Sequence, residues 1–163
     1  MEFYRSKVLP EGTESTEDFQ VFEATRKAMD EVMKALKDNC SWCLRHGRRG
    51  QDNLGEAFGA QTRKSGIFDV VTTVVVSQHP NYEKLQGTMA ELLGFKFDGN
   101  TAEGSRAARL HKEIMRRTKI LIILDDIWGR IELSRLGIPS YKELQKCESK
   151  VLVTTREGMI VML

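Results

Sequence analysis

The sequence predicts an α/β fold, a three-layer arrangement with a parallel sheet between two layers of helices. Three observations carry this. Ile120 to Leu124 is an unbroken apolar run of strand length, and Val70 to Val76 is a run rich in β-branched residues. Such runs suit strands covered on both faces, as the strands of a parallel sheet are. They alternate with amphipathic segments of helical length, which is the pattern of parallel strands joined by crossover helices.

The elements follow in order. Residues 1–18 are polar, with Pro10, Gly12 and several Ser, Thr and Glu, and read as a flexible lead-in. Residues 19–163 read as one partial domain. Phe19 to Leu36 places Phe22, Ala28 or Met29, Val32 or Met33, and Leu36 at helical spacing, so 19–38 is an amphipathic helix. Leu54 to Lys64 is a further helix, ended by Gly66. Val70 to Val76 is a strand buried on both faces. Tyr82 to Leu93, with Leu85, Met89, Leu92 and Leu93, is a helix stopped by Gly94. Ala102 to Arg117 is a helix with Leu110 and Ile114 inward and its charges outward. Ile120 to Leu124 and Val151 to Thr155 are the remaining strands.

The chemistry lies where Ile120–Leu124 runs into Asp125-Asp126. Two ionised carboxylates at the end of a buried strand must be exposed, paired or bound to a cation, because burying an unpaired charge is costly. The carboxyl edge of a parallel sheet is also where open α/β folds bind ligands. Magnesium and phosphate chemistry fits such a pair, one carboxylate holding the metal and the other orienting a water. The plainer alternative is a strand followed by an Asp-rich turn and a helix cap.

Lys119-Ile120-Leu121-Ile122-Ile123-Leu124-Asp125-Asp126-Ile127-Trp128 resembles the kinase 2 (Walker B) motif of plant nucleotide-binding, leucine-rich-repeat disease-resistance proteins, and its closing Trp resembles their coiled-coil branch. Phe68 to Gln78 is similar to the strand motif that follows the phosphate-loop helix in that family. Lys150-Val151-Leu152-Val153-Thr154-Thr155-Arg156 is similar to its next strand, and Ile131-Glu132-Leu133 with Leu136-Gly137-Ile138-Pro139 to the stretch between them. The resemblance covers about Phe22 to Arg156. It implies an NB-ARC domain of P-loop NTPase type that binds ADP at rest, exchanges it for ATP and hydrolyses it weakly. It implies that Asp125 holds magnesium, that Asp126 orients the attacking water and that Arg156 senses the terminal phosphate. It implies partners among other immune-receptor domains or pathogen-sensing proteins, and a cytoplasmic location.

The phosphate loop of that family, Gly-Met-Gly-Gly-Val-Gly-Lys-Thr-Thr, is missing. No G-x-x-x-x-G-K-[ST] occurs in the chain, and the corresponding position, within 39–58, carries only Gly47 and Gly50 as remnants. Codons able to encode His46 to Leu54 can, one base out of register, spell Met-Gly-Gly-Val-Gly-Lys-Thr-Thr, and those upstream can spell the family's preceding strand. Residues 39–58 therefore read as an out-of-frame segment, with the frame restored near Gly59. The chain lacks the Lys that grips the β and γ phosphates, and Asp52 adds a repelling charge. Impaired nucleotide binding follows. The alternative function is a non-nucleotide-binding interaction or decoy fragment, or the inactive product of a degenerate resistance gene. In the family the strand before the loop lies between those of Ile120–Leu124 and Val151–Thr155. Cys40 to Arg45 suits that central place poorly, which predicts a marginal, aggregation-prone fold with Cys40–Asn53 the least ordered interior stretch.

Other chemistries are weaker. Cys40, Cys43 and His46, with Cys147, could supply four zinc ligands, but the second pair lacks the expected spacing. Arg45, Arg48 and Arg49 read as a solvated surface, and His79 and His111 have no evident acid or metal partner. The 163 residues are 40% hydrophobic and 29% charged with a net charge of +2, enough for one core and no electrostatic case for nucleic acid. No apolar run is long enough to span a membrane, and three cysteines do not form a secreted disulfide framework. A soluble, truncated piece is expected, without coiled-coil or repeat regions.

Overall fold

A computed structural model of the chain describes residues 16–37, 42–45, 54–155 and 159–162, and the side chains of 27–37 and 55–155. Its elements are α1 (Thr16–Lys37), β1 (Trp42–Arg45), α2 (Leu54–Ser65), β2 (Val70–Val75), α3 (Tyr82–Leu92), α4 (Glu103–Met115), β3 (Ile120–Ile127), α5 (Tyr141–Lys146), β4 (Lys150–Thr155) and β5 (Met159–Met162). The expected helices and strands are all present. The short α5 and β5 were not anticipated, and residues 1–15 of the expected lead-in lie outside the described residues.

Local chemistry sets the boundaries. The Asn81 side chain caps α3 by accepting from the Lys84 N–H. The chain leaves α2 at Gly66 and follows α3 with Gly94, both at positive φ of +66° and +84°; glycine adopts this conformation without a Cβ clash. Ser140 and Glu143 form a reciprocal capping box on α5.

β3 organises the core. Its side chains alternate, so Ile120, Ile122 and Leu124 pack with Leu85, Met89, Leu110, Ile114 and Leu144 of α3, α4 and α5. Leu121 and Ile123 pack on the opposite face with Val32 and Leu36 of α1 and Phe58 of α2. Three layers result, as the sequence predicts. Lys150 is 6% exposed, and its ammonium donates to the Ala35 carbonyl in the last turn of α1 at 3.5 Å. A cation there complements the helix dipole and ties α1 to β4.

The sheet corrects one expectation. Its order is β1-β5-β4-β3-β2, with β2, β3 and β4 parallel and β5 antiparallel to both its neighbours, β4 and β1. The strand before the loop is therefore not central: β3 pairs directly with β4, and β1 lies at the far edge against β5. The physical reason is composition. Trp42-Cys43-Leu44-Arg45 has no β-branched residue and ends in a cation, which an edge tolerates and a doubly covered strand does not. β3 and β4 pair with each other, so neither presents the open edge that the expectation assumed. β2 is the other edge, and it is not buried on both faces: Val74 is covered but Val75 is 66% exposed. The expectation for Cys40–Asn53 falls largely outside the described residues.

Candidate functional site

The carboxyl end of β3 departs from regular strand geometry where the two aspartates sit. On the β2 side the ladder continues, with Asp125 opposite Val75 and its carbonyl accepting from the Val76 N–H at 2.8 Å. On the β4 side the register slips between Leu124 and Ile127. Asp126 turns left-handed there, with φ +60°. A non-glycine residue in that region costs on the order of 1–3 kcal/mol and needs surrounding contacts to hold it.

Those contacts are specific. The Thr154 hydroxyl donates a short hydrogen bond to Asp125 Oδ1 and accepts from the Asp126 backbone N–H at 3.0 Å. The Trp128 indole N–H donates to Asp126 Oδ2 at 3.1 Å, from a ring that is 44% exposed. Gly55, in the first turn of α2, faces Asp125 so closely that a Cβ placed there would overlap the carboxylate and stand 2.8 Å from the Asp125 Cβ. One turn later a Cβ at Gly59 would stand 2.8 Å from Thr73 Oγ1. The two glycines let α2 lie against β2 and β3 and bring its positive N-terminal end to a carboxylate.

The structure thus brings together Asp125 and Asp126, both half-buried at the carboxyl edge of the sheet. Gly47, Gly50 and Arg156 lie outside the described residues. Three contributors were not picked out from sequence: Thr154, Gly55 and Trp128 as a hydrogen-bond donor. Their signals were present, since Thr154 lies inside the motif ending at Arg156 and Gly55 and Gly59 are one helical turn apart.

The donor chemistry fits a magnesium ion shared with phosphates, because that ion is usually held by one or two carboxylates plus phosphate oxygens and water. Among the described residues no group of three or more His, Cys, Asp or Glu could hold a metal. Cys147 is a buried free thiol whose neighbours are the Met115 carbonyl at 3.7 Å and thioether at 3.9 Å. Cys40 and His46 lie outside the described residues. His111 does have an acid partner, contrary to expectation: its Nε2 is 3.4 Å from Glu143 Oε1. The two meet because α4 and α5 are brought together by folding.

A three-layer α/β sheet with an acidic pair at its carboxyl edge, faced by a helix N-terminus, has the architecture of the nucleotide-binding class. The chain belongs to the NB-ARC family, whose domain matches residues 25–162. Its relatives include three disease resistance proteins of Arabidopsis thaliana. It is 31% identical to disease resistance protein RFL1 over 135 residues, 78% of this chain and 15% of that protein. It is 38% identical to disease resistance protein UNI over 93 residues, 56% of this chain and 10% of that protein. It is 35% identical to disease resistance protein SUMM2 over 98 residues, 58% of this chain and 10% of that protein. The chain therefore spans a small part of the length of these relatives. Among the described residues no helix is long and apolar enough to cross a membrane.

Proposed function

We propose that this chain is the ADP/ATP-binding switch domain of a plant disease-resistance protein of the coiled-coil branch, acting in the cytoplasm with other immune-receptor domains or pathogen-sensing proteins as partners. The observation that carries the reading is the acidic pair, held on an irregular strand end against the first turn of α2. When bound, magnesium would offset phosphate charge and help order the nucleotide. Asp125 is the residue to hold it. Asp126 is the residue to orient a water, and its carboxylate is held by Trp128. Arg156 is the residue to sense the terminal phosphate.

Binding is impaired in the chain as written, because no Gly-Lys-[Ser/Thr] follows a phosphate loop in the sequence. Gly47 and Gly50 alone supply no cation for the phosphates. The missing phosphate-loop Lys favours the second reading, a non-binding interaction or decoy fragment or an inactive gene product.

A titration with labelled ADP in magnesium buffer separates the two. The chain as written should bind weakly. A version with 39–58 replaced by the neighbouring-frame residues should bind with magnesium dependence, lost on Asp125→Ala. Binding that is strong without repair and indifferent to Asp125→Ala would overturn the proposal. The coding DNA supplies an independent check, because its neighbouring frame should spell Gly-Lys-Thr-Thr.

A further inference from the structure

We propose that Thr154 is the positioning residue of the acidic pair. A hydroxyl has one proton to donate and lone pairs to accept with. The Asp126 N–H can only donate, so it fills a lone pair of Thr154 and leaves the hydroxyl proton for Asp125 Oδ1. One side chain therefore orients the carboxylate of the first aspartate and secures the left-handed backbone of the second.

The need for it arises from the strand. The register slip between Leu124 and Ile127 takes the half-buried Asp126 N–H out of the regular β3–β4 ladder, and such a backbone donor needs another acceptor. Thr154 supplies it from β4 while only 5% exposed, where a hydrogen bond is little weakened by competing water. Valine would keep the shape and the β-branching but remove the hydroxyl that both aspartates use. Serine would keep the hydroxyl and lose the methyl group.

The inference rests on the reading of Asp125 and Asp126 as a hard-cation site, and the test distinguishes the two. Terbium(III) is the probe, a hard oxygen-seeking ion whose emission is sensitised by a nearby indole. The full chain is used in a Trp42→Phe background, which leaves Trp128 as the sensitiser. Emission should rise saturably, fall on adding excess magnesium and vanish in Asp125→Asn. Thr154→Val should weaken terbium binding about tenfold, the scale of losing one hydrogen bond to a charged group. Thr154→Ser should bind within about twofold of the parent, the restored bond outweighing the lost methyl contact. Should Thr154→Val not fold by circular dichroism, Thr154→Ala against Thr154→Ser carries the same comparison.

Parent-like binding by a folded Thr154→Val, or equal losses in the serine and valine variants, would overturn the positioning role and leave the cation site standing. A folded parent without saturable emission would overturn the cation site, and the role of Thr154 with it.

Discussion

Asp126 and Glu143 show how single residues are set by contacts distant in sequence. Asp126 holds a left-handed backbone because Thr154, from another strand, accepts its N–H. Glu143 is the other case. Its carboxyl is held below its ordinary value, first by the Ser140 hydroxyl, then by the Ser140 N–H, with His111 adding smaller contributions. A depressed carboxyl pKa means the unfolded chain binds more protons through that range, so stability rises with pH across it. The contribution of the α5 cap should be complete above the ordinary carboxylate pKa and be lost as pH falls through the lower folded value. Urea unfolding of the parent and of Glu143→Gln, compared from neutral to acidic pH, checks this. The gap between them should narrow towards acid; a constant gap would rule out the linkage. The capping box went unread although Ser140 and Glu143 stand three residues apart in the sequence, and the His111 contact has no local signal because it joins α4 to α5.

At the scale of elements, the decisive pairing is β3 with β4. Adjacent strands lie about 4.8 Å apart, and strands separated by an intervening strand about twice that. A disulfide spans Cα atoms up to about 7 Å apart. Leu121 and Lys150 are partners in the observed register. With the three native cysteines replaced, Leu121→Cys with Lys150→Cys should cross-link on mild oxidation, seen as a shift in non-reducing electrophoresis. Repair of 39–58 should leave the cross-link in place, since β1 lies at the far edge of the sheet. Failure of the unrepaired chain to cross-link would contradict the sheet order. Strand identities were legible here because Ile120–Leu124 and Val151–Thr155 are apolar and β-branched. Strand order was not, since each run would suit either neighbour.

Among the described residues two cores lie on opposite faces of the sheet, and β2, β3 and β4 each contribute to both. Residues of β3 feed the core under α3, α4 and α5 on one face and that under α1 and α2 on the other, so loss of β3 packing should be felt by both layers. Replacing 39–58 with neighbouring-frame residues should therefore change global unfolding, raising the thermal midpoint and sharpening the transition. It should also create a further rise with ADP and magnesium. Differential scanning calorimetry reads all three. A parent that already melts sharply and gains stability from ADP would show that the written segment is not a defect.

The sequence by itself determined the layers and the acidic pair. Burial on two faces demands continuous apolar runs, helices demand their own period, and two carboxylates ending such a run have few places to go. It also carried the family, through motifs that remain contiguous in the chain. The tertiary structure alone decided that β1 is an edge strand, that Gly55 meets Asp125 and that the Thr154 hydroxyl serves both aspartates. Each of these depends on which segments become neighbours. That choice follows from the summed packing of all strands and helices, which no local pattern of residues contains.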